Sequence, residues 1–220
     1  MTENFLMAAL PVIVCLVGLS ALVLAEWFDS AWARAAGKLT ASSGFVWAAI
    51  AWGALESPYG QWMLAGLVLC WLGDALLLPA GQTVWFQLGI GSFLLGHVAY
   101  AAAFVGLGVD PAASGAAVAG VAAAAWWTLR WLRPHVPADF RWPVGVYVAV
   151  IGTMVVTALG AVGAGAPAPV AVGAVGFALS DLSVARDRFV SAGFSNTAWG
   201  LPLYYLAQLT LAYSVSFVGA

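Results

Sequence analysis

The chain has 220 residues, of which 64% are hydrophobic and only 7% charged, with 7 Lys and Arg against 9 Asp and Glu for a net charge of -2; its mean hydropathy is +0.98. A soluble domain carries about a quarter of its residues as charges, so this composition excludes one and points to an integral membrane protein. So few basic residues also leave no nucleic-acid footprint, and Cys15 and Cys70, both inside apolar runs, read as packing thiols rather than as a disulfide or metal site.

Charged and Gly/Pro-rich breaks divide the chain into eight apolar spans near 5–25, 39–55, 62–78, 84–107, 112–132, 142–162, 168–184 and 197–218, each close to the ~20 residues that cross a bilayer. They are expected to be helices, because the runs lack the alternation of barrel strands and an unpaired backbone in lipid costs several kcal/mol per group. Glu3 is the only charged residue before the first span; without a basic leader this span is expected to remain in the mature protein. "GVDPAA" offers Asp110 as an N-cap with Pro111 at the first helical position, and "GAGAPAP" at 163–169 cannot continue a helix.

Orientation follows from the basic residues. Arg34 and Lys38 come after span one, Arg130, Arg133 and Arg141 around the connection after span five, and Arg186 and Arg188 after span seven. By the positive-inside rule these connections face the cytoplasm. The expected fold is therefore an all-α integral membrane protein, a single transmembrane domain over 1–220 forming an eight-helix bundle with both termini on the non-cytoplasmic side, multi-pass in the cell membrane. Trp27, Trp62, Trp85, Trp126, Trp127, Trp142 and Trp199 near span ends fit interfacial belts, while Trp47, Trp52 and Trp71 sit deeper.

Against this background each polar residue in a span stands out. Asp74, in "CWLGDALLLP", lies about four residues, roughly 6 Å, from the cytoplasmic end of span three. Asp181, in "GFALSDLSVARDRF", lies at a similar depth in span seven. An ionised Asp at a helix centre costs about 2.5–3.5 kcal/mol on insertion scales, so two of them need a reason. Three are open: each is tied to a nearby cation such as Arg186 or Arg188, or snorkels to water; the two form an acid/base pair in different protonation states; or they relay protons or cations in a transporter. His97 and Tyr100 lie three apart on span four, and Tyr204 and Gln208 four apart on span eight with Tyr205 beside them, so each set forms a polar stripe. Asn196 either caps span eight or contacts substrate. "LGD" in span three and "LSD" in span seven, four spans apart, hint at a parallel four-plus-four repeat.

The segments "WLGDALLL", "GSFLLGHVAY", "GAVGFALSDLSVARDRF" and "LYYLAQ", in this order, resemble the YhhN family, the lysoplasmalogenase-like membrane proteins. Lys38-Leu39 resembles that family's basic residue opening span two, although the Pro usual between them is missing. The resemblance implies an eight-helix protein that hydrolyses the vinyl ether bond of lysoplasmalogens, and marks Asp74, His97, Tyr100, Ser180, Asp181, Arg188, Tyr204, Tyr205 and Gln208 as pocket residues. Asp74 and Asp181 are then the expected catalytic pair. One as a carboxylic acid would protonate carbon; the other as a carboxylate would activate the water that captures the resulting cation. Which is which stays open. Lys38 and Arg188 would hold the phosphate, with His97, Tyr100, Tyr204 and Gln208 ordering water or the glycerol hydroxyl. The expected partners are a lysophospholipid entering from the inner leaflet and the surrounding lipids, with no cofactor, metal or protein partner called for. Rival readings are another lysolipid ether or ester as substrate, a proton- or cation-coupled transporter, and a lipid-binding membrane protein; an intramembrane aspartyl protease is disfavoured because its Pro-Ala-Leu signature is absent.

Overall fold

The structure, a computed structural model, describes residues 2–79 and 83–218, with side chains from residue 9 onward; the Glu3 side chain lies outside that range. Eight long helices follow one another: α1 (Thr2–Trp27), α2 (Ala31–Ala51), α3 (Pro58–Leu76), α4 (Thr83–Gly106), α5 (Pro111–Leu132), α6 (Ala138–Gly163), α7 (Pro169–Ala185) and α8 (Phe194–Ser214). Arg186–Val190 prolongs α7 as a π-helical turn, and Val215–Phe217 ends α8 in a 3₁₀ turn. No strand occurs among the described residues. Every expected span corresponds to one helix, and the starts follow local chemistry. Asp110 caps α5 by accepting the Ala113 N–H at 2.7 Å ahead of Pro111, and Ser57 caps α3 from the Gly60 N–H at 3.1 Å ahead of Pro58.

Two boundaries differ from the sequence reading in a way that matters. Helix α2 begins at Ala31, eight residues before the expected 39, so Arg34 and Lys38 are helical rather than part of a connection. The early start is held by ion pairs from Arg34 to Glu26 (3.3 Å) and Asp29 (3.2 Å), and Lys38 turns inward. Helix α8 begins at Phe194 with Gly193 as its N-cap, so Asn196 is not the cap; its amide is engaged elsewhere.

Among the described residues, five helical stretches are long and apolar enough to cross a membrane by themselves: Ala9–Trp27, Thr83–Gly106, Pro111–Leu132, Ala138–Gly163 and Pro169–Val190. The remaining three, α2, α3 and α8, carry Lys38, Ser42, Asp74, Tyr204 and Gln208. These polar residues lower the helices' hydropathy, and they are turned inward. Elsewhere large apolar side chains face outward, among them Ile13, Val17, Leu95, Val118 and Val172, as a lipid-facing surface requires.

The helices pack as successive hairpins, α1 with α2, α3 with α4, α5 with α6 and α7 with α8. Contacts between α2 and α3, α4 and α6, α6 and α7, and α8 and α2 then close a ring of six helices, with α3 also touching α8. Helix α1 lies outside the ring against α2 and α8, and α5 lies outside against α6, with Leu132 its one buried residue. Adding four to each helix number maps the ring onto itself and turns the outlying α1 into the outlying α5. This is the adjacency that a parallel four-plus-four repeat produces.

The α1–α2 hairpin owes its closeness to glycine. A Cβ on Gly44 would lie 2.6 Å from the Cys15 Cα, and one on Gly37 would lie 2.7 Å from the Leu22 nitrogen, the small-residue contact by which helices approach in lipid. Gly44→Leu is expected to part the hairpin and cost about 1–3 kcal/mol as an overpacked contact. Thermal unfolding in detergent will then show a lowered midpoint, whereas Gly115→Ala, on a face of α5 with open space around it, will leave the midpoint unchanged.

Candidate active site

Asp74, on the last turns of α3, is 3% exposed, and two further helices bring side chains to its carboxylate. Its Oδ2 accepts hydrogen bonds from the Ser42 hydroxyl of α2 at 2.7 Å and the Tyr204 hydroxyl of α8 at 2.8 Å. Its Oδ1 stands 3.6 Å from the Lys38 ammonium of α2. A chain of donors runs toward this carboxylate: Tyr100 donates to Gln208 Oε1 at 2.8 Å, Gln208 Nε2 donates to the Tyr204 oxygen at 3.2 Å, and Tyr204 donates to Asp74. The Tyr205 hydroxyl lies 3.2 Å from Ser42 Oγ and 3.3 Å from the Lys38 carbonyl. Buried polar atoms left without partners cost about 1–3 kcal/mol each, and here nearly every one has a partner.

The Asp181 carboxylate of α7 is more open, 18% exposed against 4% for the Asp74 side chain, and has different company. The Tyr147 hydroxyl of α6 donates to its Oδ2 at 2.7 Å. His97 Nε2, from α4, stands 3.8 Å from the same oxygen, beyond hydrogen-bond reach. The His97 ring is fully buried, packed on Phe177 with 4.5 Å between centroids and edge-on to Tyr147 at 5.3 Å. Among the described residues neither of its nitrogens has a hydrogen-bond partner. Phe177 also packs on Tyr204 at 5.3 Å, so contacts lead from Asp74 through Tyr204, Phe177 and His97 to Asp181.

Both carboxylates line one cavity of about 1020 Å³, at the upper end of what single small-molecule sites occupy. Lys38, Ser180, Arg188, Asn196 and Tyr204 line it too, together with Tyr147 and Glu26. Its apolar extent runs along α4, α5, α6 and α7, past Ile90, Leu94, Val121, Ala124, Val148 and Leu179. His97, Tyr100, Tyr205 and Gln208 are fully buried behind this wall. They hold the groups that face the cavity rather than facing it themselves, so the structure does not put them in direct reach of a ligand. Ser180 spends its hydroxyl on the Phe177 carbonyl at 2.7 Å.

The sequence offered Arg186 and Arg188 as the cations for the aspartates; the structure pairs neither with them. Arg186 donates to Asn196 Oδ1. Asn196 Nδ2 donates to Asp187 Oδ1 at 2.9 Å and to the Ser191 carbonyl at 2.7 Å, so these side chains staple the π-helical turn to α8. The turn presents Arg188 with its guanidinium 4.3 Å above the Phe86 ring of α4, exposed at the cavity wall and without an ion pair among the described residues. The cation beside Asp74 is Lys38, which a helix begun at 39 would have left outside. Ser42 and Tyr147 were missed. Ser42 is four residues after Lys38 and so on the same helical face, a signal available once α2 starts early; Tyr147, alone in "GVYVAV", had no partner in sequence. Among the described residues no three His, Cys, Asp or Glu side chains gather as a metal site would.

Comparison with known proteins agrees with the resemblance seen in the motifs. The chain is 35% identical over 162 residues to proteins named lysoplasmalogenase from Mycobacterium bovis and Mycobacterium tuberculosis, an alignment covering 69% of this chain and 59% of each relative. It is 32% identical over 168 residues to lysoplasmalogenase TMEM86A of Bos taurus, covering 73% of this chain and 67% of that protein. The chain thus spans about three fifths of the length of the mycobacterial relatives it matches. No solved structure matches it. The YhhN family model matches residues 38–215, from the lysine beside Asp74 to the end of α8, and the chain belongs to the YhhN family.

Proposed function

We propose that this protein is a multi-pass membrane hydrolase that cleaves the vinyl ether bond of lysoplasmalogen-type lipids, releasing a fatty aldehyde and glycerophosphoethanolamine or glycerophosphocholine. The observation that carries the reading is one cavity with two carboxylates at its polar part and an apolar extent between helices, in a chain related to proteins named lysoplasmalogenase. Cleavage of a vinyl ether needs a proton delivered to carbon and a base for the attacking water. Asp74 and Asp181 supply two carboxyl groups, and the long apolar wall suits a single hydrocarbon tail.

In this reading the eight helices form one domain over 1–220 in the cell membrane. The corners α1–α2, α5–α6 and α7–α8, at which the basic residues gather, face the cytoplasm and both termini face away from it. Asp74 and Asp181, near the C-terminal ends of α3 and α7, then lie toward the inner leaflet, from which the lipid enters sideways. Arg188 is the phosphate ligand, because its guanidinium is exposed at the wall and unpaired among the described residues. Lys38 does not share that task. Held 3.6 Å from Asp74, it balances the carboxylate's charge instead.

Three outcomes test this. Detergent-purified protein given an alkenyl lysophospholipid is expected to release aldehyde, and its alkyl ether analogue none; Asp74→Asn and Asp181→Asn each lower kcat by about 10²-fold or more, the usual weight of a general acid or base. Alkyl ether cleavage, or full activity in either variant, would refute the two-aspartate hydrolase. Arg188→Ala is expected to raise KM about tenfold with kcat little changed, the mark of an interaction made equally in ground and transition states. For the orientation, a cysteine at position 164 is expected to react with an impermeant maleimide on intact cells and one at position 135 only after lysis, both positions being exposed while Cys15 and Cys70 are buried.

A further inference from the structure

The two carboxylates differ in what already occupies their oxygens. Both oxygens of Asp74 have partners: Oδ2 accepts the Ser42 and Tyr204 hydroxyls, and Oδ1 is ion-paired with the Lys38 ammonium at 3.6 Å. Every donor in the chain from Tyr100 through Gln208 and Tyr204 points toward this group. A resting acid proton on Asp74 would have to displace one of these donors or face a cation, so Asp74 rests as the carboxylate and holds a proton only between water addition and release of the alcohol. Asp181 is different. Only Oδ2 receives a hydrogen bond, from Tyr147, and the neighbouring His97 stands too far away to donate. Among the described residues no hydrogen bond reaches its Oδ1 and no lysine or arginine is ion-paired to it. A carboxylic acid accepts at its carbonyl oxygen and donates from its hydroxyl, so the Tyr147 bond marks Oδ2 as the carbonyl and leaves the proton on Oδ1, in a side chain that lines the cavity.

We infer that Asp181 is the proton donor, Asp74 the base that activates water, and Tyr147 the positioning residue that fixes which oxygen of Asp181 carries the proton; the inference rests on the hydrolase reading above. The Asp181 hydroxyl gives its proton to the vinyl carbon remote from oxygen, the π electrons forming the C–H bond and leaving an oxocarbenium ion at the carbon bound to oxygen. Water adds there and passes a proton to Asp74, giving a hemiacetal. The hemiacetal hydroxyl returns a proton to Asp181 while the C–O bond to glycerol breaks, the departing oxygen taking the proton held by Asp74. Aldehyde and alcohol leave, and both carboxyl groups are restored. His97 backs the donor side as part of the wall and takes no proton in this scheme.

The test uses a second substrate, an alkenyl lysophospholipid bearing a methyl group on the vinyl carbon attached to oxygen, which releases a ketone. The methyl stabilises the oxocarbenium ion and makes protonation easier while leaving the water step in place. Asp181→Asn and Tyr147→Phe are expected to lose about 10²-fold or more and about tenfold, respectively, on the native alkenyl lipid. Both losses should shrink at least several-fold on the methyl analogue. Asp74→Asn should lose as much on one substrate as on the other. The ratio of the two rates is internal to each preparation, so partial misfolding, which lowers both alike, leaves it unchanged. In deuterated water the wild type should deliver one deuterium to the aldehyde carbon next to the carbonyl. If the analogue rescues Asp74→Asn instead, the roles are reversed; if Tyr147→Phe matches wild type on both substrates, Tyr147 has no positioning role. Absence of aldehyde from folded wild type would instead remove the hydrolase reading itself.

Discussion

A carboxylate buried among helices that face lipid is tolerable only if the protein supplies what water would have supplied, and the arrangement around Asp74 answers that demand. One side chain from α3 draws in Lys38 and Ser42 of α2 and Tyr204 of α8, then through Gln208 reaches Tyr100 of α4. Half of the helices are thereby pinned to one charge. Removing a single partner would leave a buried ion or dipole unpaired, which costs more than the net worth of the lost bond. The polar network accordingly acts as a register device for helices that have no hydrophobic drive to prefer one another in lipid.

The same demand explains the uneven apolarity of the helices. Helices α2, α3 and α8, which carry the polar interior of the Asp74 side, are the ones that do not read as membrane-crossing by length and hydropathy alone. Their outward faces remain apolar, with Trp47, Ile50, Leu72 and Leu206 exposed. Low hydropathy in these segments records an inward-facing site.

The number of helices, the cap at Asp110, and the two aspartates were legible in the sequence because each is a local signal: a run length, a cap residue before proline, a charge where charge is costly. The four-plus-four adjacency was foreshadowed by "LGD" and "LSD" in spans three and seven. What escaped were relations across space. Lys38 could not be assigned to Asp74 while the helix was thought to begin at 39, since the ion pairs of Arg34 that extend α2 belong to the α1–α2 corner. Tyr147 carries no pattern of its own, and becomes meaningful only where α6 lies beside α7. Asn196 looked like a cap and proved to be a staple, because Gly193 took the capping position and the π-helical turn brought Arg186 and Asp187 within its reach.

The ring that maps onto itself when each helix number is raised by four extends to the aspartates. Asp74 on α3 is served from α2 and α8, and Asp181 on α7 is served or faced from α6 and α4, the same pair of positions in the other half. Two identical four-helix units meeting about a true two-fold axis would give both carboxylates the same neighbours and hence the same chemistry. Joining the halves in one polypeptide removes that obligation. One half brings a lysine, a serine and a tyrosine to its aspartate, the other a tyrosine and a histidine held beyond hydrogen-bond reach, and a symmetric frame ends up holding an asymmetric pair.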